Sequence, residues 1–467
     1  MAATPAPQAL AGVPALAPER RVEWPKRTRA RLANGMEVIL AEQHSIPKFT
    51  GRLFLRSGNA DVAKRATGLA EITATVVRTG TRGRSSRKIE EDLRGLGADL
   101  STSAGSDTTA IAFDGLTEFT EPLLALVGEL AREAAFPEGE FERERRQMLE
   151  GVRLQRTEPD FLAGERLRKV LFGGHPYAQV APSEEQVAAY RREDLVSVYR
   201  EFYSPSNAML VMVGDFHSGE MLALVEKVFD GWKGPEVKKT AAPAPLRPAG
   251  RRVHLVHVPG AVQTQVLAGC HAITRRHPDW VRLLLANSIY GGAFNSRLVM
   301  NIREEKGYTY SPRSGVNPLQ QHGYFTISAA VRNDVVAATL VEMFYELDKM
   351  RALAVPEAEL ADARNYMSGV FSLGVATQDG LLGQLSTVAL YDLPDDYLET
   401  YRDRVRALKA EDVLFAARAY FDSANMQIVI VGDRGAVESQ AALFGDVVAY
   451  DSAGNQTPKR EANGSVS

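Results

Sequence analysis

Apolar and polar positions along this chain recur with two periods, and the switches between them mark out strands and helices. The stretch ANGMEVILAEQ sets a turn signal, Asn34-Gly35, before an apolar run suited to a strand. FTGRLFLRSG alternates Leu53 and Leu55 against Arg52 and Arg56, the two-residue period of a second strand. After a polar loop over residues 58–68 the period changes. Leu69, Ile72 and Val76 recur at i, i+3 and i+7, which predicts a helix over 68–77. SSRKIEEDLRGLGADLST predicts another helix, N-capped by a serine and stopped at Gly97. DTTAIAFDGL reads as a strand and TEPLLALVGELAREAAF as a helix. PEGEFERERRQMLEGVRLQRTEPD reads as one long charged helix with Phe141, Met148, Leu149 and Val152 on its apolar side. The run from EEQVAAY to NAMLVMVGDF reads helix, helix, strand.

Residues 234–250 are rich in proline, alanine and lysine and read as a linker. Beyond them the order begins again. RRVHLVHVPG, TQVLAGCHAI and GYFTISAAV predict strands. PDWVRLLLANSIYGG, NSRLVMNIREEKG, VVAATLVEMFYELDKMRAL and PEAELADARNYMSGVFSL predict helices. FPEGEFERERRQM parallels VPEAELADARNYM, so Pro137 maps to Pro356. REDLVSVYREFYSPSNAMLVMVGD parallels AEDVLFAARAYFDSANMQIVIVGD, so Gly214 maps to Gly432. Two independent words share an offset of roughly 218 residues, the mark of an internal duplication. The expected fold class is α+β: two tandem, duplicated domains, each a largely antiparallel sheet with helices packed on one face. The expected bounds are 22–233 and 251–440, with tails at 1–21 and 441–467. No element is assigned to 161–172 or 374–409.

Composition narrows the function. A net charge of -3 argues against a nucleic-acid binder. No run approaches the ~20 apolar residues of a membrane helix. The Ala/Pro-rich start has neither a basic region nor an apolar core, so it is not an intact signal peptide. The compartment stays open between cytoplasm and, if a signal has been removed, periplasm. The single cysteine, Cys270, lies in a predicted strand and reads as a small buried hydrophobe. No nucleophile elbow, P-loop or dinucleotide-binding turn is present. Of the eight histidines, His254 and His257 form H-x-x-H, but on a strand, where i and i+3 face opposite ways.

Several words, in order, resemble the M16 peptidases (inverzincins) and their short two-domain branch, over roughly residues 22–440. They are LANGMEVILAE, GLAEITATVVRTGT, ERRQMLEGVRLQ, GGHPY, two endings of the N-x-x-x-V-x-V-G-D type, and YGGAFNSRLVMNIREEKGYTYSP. The resemblance implies a zinc helix at GLAEITATVV, where the family carries H-x-x-E-H. Here the two histidine positions are Glu71 and Thr75, the general-base position is Ala74, and the third-ligand position is Gly151, with Glu150 adjacent. A carboxylate, a hydroxyl, a methyl and a hydrogen cannot replace two imidazoles, a base and a glutamate.

The same resemblance implies that Arg303 and Tyr310, in IREEKGYTYSP, match an Arg/Tyr pair that contacts the scissile carbonyl. Read without it, Arg303 pairs near its own helix end and Tyr310 is a half-buried strand aromatic. The expectation is a non-catalytic subunit of a heterodimeric zinc metallopeptidase. It would hold no metal or other cofactor itself, and zinc would sit in a partner bearing H-x-x-E-H. Arg303 and Tyr310 would complete that site in trans on a peptide or unfolded-protein substrate. The alternative is a structural or peptide-binding protein of this fold with no role in catalysis.

Overall fold

The computed structural model describes residues 22–239 and 242–458. The expected tail 1–21 and the last nine residues lie outside the described residues. Among the described residues, twelve strands form two six-stranded sheets. The first holds β1 (Arg27–Arg31), β2 (Glu37–Glu42), β3 (Lys48–Leu55), β4 (Asp99–Ala104), β5 (Thr109–Leu116) and β6 (Ala208–Gly214), in the order β1-β2-β6-β3-β5-β4. The second holds β7 (Arg252–His257), β8 (Gln263–Ala272), β9 (Arg313–Pro318), β10 (Gly323–Arg332), β11 (Gln427–Gly432) and β12 (Val447–Tyr450), in the order β12-β7-β11-β8-β10-β9. Pairing is antiparallel except β2–β6, β7–β11 and β7–β12.

The duplication is visible element by element. β2 pairs in parallel with β6 as β7 does with β11. Pro137 and Pro356 each cap a long helix, Glu138–Gln155 and Glu357–Val375, with nearly the same φ of -58° and -59°. Proline suits this position because the first helical N–H groups have no partner to lose. The halves differ at one edge: β1 enters before β2, whereas β12 returns after β11. β12 lies beyond residue 440, so the sheet extends into the segment expected to be a tail.

Strand alternation buries both sheet faces. One face of the first sheet, including Val38, Leu40, Leu53, Ile111 and Met212, packs on that half's own helices. The other face, with Ile39, Phe54, Met209, Val211 and Val213, is covered by helix Gln378–Leu390 through Leu381, Leu382 and Leu385. That helix belongs to the second half of the chain. The exchange is reciprocal. Helix Pro159–Phe172 places Leu162, Leu167 and Leu171 on Val256, Val429 and Val431 of the second sheet. It lies so close to β8 that a Cβ on Gly269 would sit 2.7 Å from Leu167. Each half therefore completes the core of the other.

Both covering helices correct the sequence reading. The charged helix does not run from Pro137 to Asp160; it stops at Gln155 and a new helix starts at Pro159. Proline lacks the N–H that would continue the ladder, but it fits a first turn. The helix read after Ser85 has the ends expected of it: Ser85 caps helix Ser86–Leu96 and Gly97 ends it in the left-handed region, and the residues after Gly97 form β4.

Between the two long elements, Arg156 grips Glu165 with two hydrogen bonds of 2.6 and 2.9 Å, and Lys169 lies 3.3 Å away. Glu165 is 4% exposed. Burial pushes its carboxyl upward, but the hydrogen bonds and charges of Arg156 and Lys169 outweigh it and hold it below the ordinary range. Arg156→Ala leaves that carboxylate buried without its fork and should cost about 3 kcal/mol in urea unfolding at neutral pH. A depressed carboxyl stabilises the fold above its unfolded pKa and loses that contribution as pH falls through the folded one. The gap between wild type and variant should therefore narrow below about pH 4.

Candidate functional site

Helix Leu69–Val77 opens on Gly68, whose φ of 77° favours glycine. A Cβ there would also press within 3.0 Å of Pro182 and 3.1 Å of Met148. Leu69, Ile72, Val76 and Val77 are buried in the first core. Of the positions expected to correspond to a zinc site, only Glu71 is exposed. Desolvation nevertheless raises its carboxyl from the ordinary value. No hydrogen bond or ion pair reaches that carboxylate among the described residues. Ala74 is fully buried. The Thr75 hydroxyl donates to the Glu71 carbonyl at 3.1 Å, one turn back. Gly151, on the neighbouring helix Glu138–Gln155, has no side chain, and Glu150 is held by Arg153 at 2.8 Å. A zinc ion needs three or four N, O or S donors around it. One carboxylate and a hydroxyl bound to its own backbone do not fit zinc.

The second set is brought together. Residues Val299–Glu305 form wide helical turns, with the Lys306 N–H reaching the Asn301 carbonyl at 3.0 Å. Gly307, at φ 63°, ends them. The Gly307 N–H donates to Arg303 O at 3.1 Å, and the Tyr308 N–H to Ile302 O at 3.0 Å, which closes the helix end and turns the chain back. Thr309 ties the return to β10 through the Ala330 carbonyl at 2.6 Å. The Arg303 guanidinium then lies 4.2 Å above the Tyr310 ring. Phe294 approaches it at 5.0 Å from the other loop, and Glu304 pairs with its Nε at 3.1 Å. Tyr310 is 78% exposed and precedes β9, so it is not a half-buried strand aromatic. Gln263, Arg303, Tyr310 and Arg332 border an open cleft of about 690 Å³.

Phe294 was not singled out from the sequence. Its signal was an exposed aromatic in the polar turn GGAFNSR, and it is 70% exposed. Among the described residues, no hydrogen bond, ion pair or ring contact joins this trio to Glu71, Ala74, Thr75 or Gly151.

The remaining candidates are separated. His254 is buried beside Tyr450 and Gln427, whereas His257 accepts the Arg434 N–H at 3.1 Å. Cys270 is buried, and burial pushes its thiol up to about 12. His44 and His217, far apart in sequence, meet Glu42 at one end of the first sheet. No helix among the described residues is long and apolar enough to cross a membrane.

Comparison with known proteins agrees with this architecture. A family model described as insulinase (peptidase family M16) matches residues 37–180, and one described as the peptidase M16 inactive domain matches residues 189–367. An uncharacterized zinc protease, YmxG, of Bacillus subtilis is 20% identical over 83% of this chain and 94% of its own length. A Helicobacter pylori relative named non-peptidase homolog YmxG is 22% identical over 85% of this chain and 92% of its own. The crystal structure of a peptidase M16 inactive domain from Pseudomonas fluorescens superposes with a TM-score of 0.82 at 27% identity, covering 87% of this chain and 98% of that one. A Helicobacter pylori protease superposes with a TM-score of 0.81 at 20% identity, covering 87% and 99%. With its duplicated sheets and both family models matched in order, the chain belongs to the M16 peptidase family.

Proposed function

We propose that this chain is the non-catalytic subunit of a heterodimeric M16 zinc peptidase, and that Arg303 and Tyr310 complete the active site of an H-x-x-E-H-bearing partner. The observation that carries the reading is the contrast within one chain. Glu71, Ala74, Thr75 and Gly151, the positions that the resemblance assigns to a zinc site, offer too few donors for the ion, while Arg303 is held 4.2 Å over Tyr310 at an open cleft. Arginine brings a permanently charged fork and tyrosine an O–H, the donors that a developing oxyanion requires. β9, an edge strand, starts three residues after Tyr310 and offers backbone for pairing with an extended peptide or unfolded-protein substrate.

The test is complementation. The purified chain and a partner M16 subunit, each inactive alone, are mixed with a quenched fluorescent peptide library. Cleavage on mixing, with one-to-one association, is expected. Cleavage by this chain alone would sink the reading. A structural or peptide-binding role without catalysis is favoured by the non-peptidase name of the Helicobacter pylori relative. It predicts association or peptide binding with no gain in turnover.

A further inference from the structure

The parallel pairing of β2 with β6 sets Glu42 beside Gly214, so both strands end at the same edge of the first sheet. Two residues past β2 comes His44. Three past β6 comes His217, which precedes helix Ser218–Phe229. The chain is thus folded so that Glu42, His44 and His217 each aim a ligand atom into one place, all within 4.8 Å of one another.

We propose that Glu42, His44 and His217 bind a divalent transition-metal ion, zinc by donor chemistry, at a site unrelated to the helix Leu69–Val77. Two imidazoles and a carboxylate are a zinc donor set, with ligand atoms about 3.4 Å apart around a tetrahedral ion. His44 Nε2 and Glu42 Oε2 already stand 3.7 Å apart. His44 and His217 are exposed and free to turn the remaining distance.

The surrounding contacts orient the donors. Asp215 Oδ1 lies 2.7 Å from His44 Nδ1, which places the proton on Nδ1 and leaves Nε2 as the ligand. The Ser218 N–H donates to Glu42 Oε1 at 3.0 Å, leaving Oε2 for the ion. Lys26 approaches the same Oε1 at 3.5 Å, but it is largely exposed and can swing away. The helix N-terminus beneath disfavours a cation slightly. Glu42 and Asp215 offset this, as do Glu118, Glu121 and Glu220 around the adjoining cleft of about 400 Å³. A water from that cleft would complete the coordination. The ion would fasten the end of β2 to the start of a helix about 175 residues later, so it should raise stability with the logarithm of free zinc once that exceeds the Kd.

Chelator-treated full-length chain titrated with zinc by calorimetry, with metal content checked by elemental analysis, should take up one equivalent and melt at a higher temperature. His44→Ala and His217→Ala should abolish uptake and the thermal shift. Asp215→Asn should weaken binding by about 10- to 100-fold. Glu71→Ala should leave it unchanged. Cobalt in place of zinc should give the visible absorption of a four-coordinate ion in wild type and lose it in both histidine variants. No saturable equivalent, equal uptake in wild type and the histidine variants, or loss of uptake in Glu71→Ala would each overturn the proposal. None of these readouts depends on peptide cleavage.

Discussion

Arg303→Ala is expected to lower kcat of the reconstituted heterodimer by on the order of 10²–10³-fold, the loss typical of one oxyanion donor. KM and subunit association should change little, because the side chain is asked to act on charge that appears only in the transition state. The stack over Tyr310 separates this effect from simple unfolding. A cation–π contact at an exposed site is worth only about 0.5–1 kcal/mol, so the variant should melt close to wild type. Arg303→Lys keeps the charge without the planar fork and should fall between the two. Tyr310→Phe keeps the ring beneath Arg303 and removes only the hydroxyl, which isolates the second donor. Wild-type turnover in both Arg303→Ala and Tyr310→Phe would move the chain to the scaffold reading. Steady-state kinetics of the mixed subunits, beside thermal melts of this chain alone, decide the matter.

Leu382→Asp is expected to unfold the half of the chain in which it does not lie. Leu382 is 0% exposed and belongs to the cluster that covers Ile39, Phe54, Val211 and Val213 of the first sheet. A carboxylate there has no partner and should cost more than about 4 kcal/mol. The helix is further tied to the first sheet by Thr50 donating to Asp379 at 2.9 Å and by Gln378 donating to the Lys48 carbonyl at 2.9 Å. Hydrogen exchange should therefore accelerate first in β3 and β6, with β8 and β10 less affected. Loss of protection confined to β8, β10 and β11 would show that the cross-cover contributes nothing to the first sheet. If each half completes the other's core, neither should fold fully when expressed alone.

Legibility from the sequence followed burial. Seven of the eight inner strands of the two sheets, β2, β3, β5, β6, β7, β8 and β10, are legible as apolar runs, and β11 follows from the repeat that maps Gly214 to Gly432. All four edge strands were missed. β1 reads RTRAR, β4 DLSTSA and β9 RSGVNP, while β12 is only four residues long. An edge strand is held by backbone pairing on one side and carries polar side chains that keep other chains off, so it leaves no hydrophobic period to read. Helix Leu69–Val77, its buried side and the Arg303/Tyr310 spacing were likewise visible, because helix periodicity and short motifs are local.

What the sequence by itself determined is the duplicated α+β plan and the residues that stand at Glu71, Ala74, Thr75, Gly151, Arg303 and Tyr310, the positions on which the proposed function rests. Only the tertiary structure decided which surfaces meet. Helices Pro159–Phe172 and Gln378–Leu390 each match the apolar face of the other half's sheet, so nothing near them in sequence announces what they cover. The third member of the Arg303 stack, Phe294, comes from a separate turn. His44 and His217 become neighbours only through the β2–β6 register. Period and motif act over a few residues, whereas these contacts depend on how two sheets and their crossing helices close on one another.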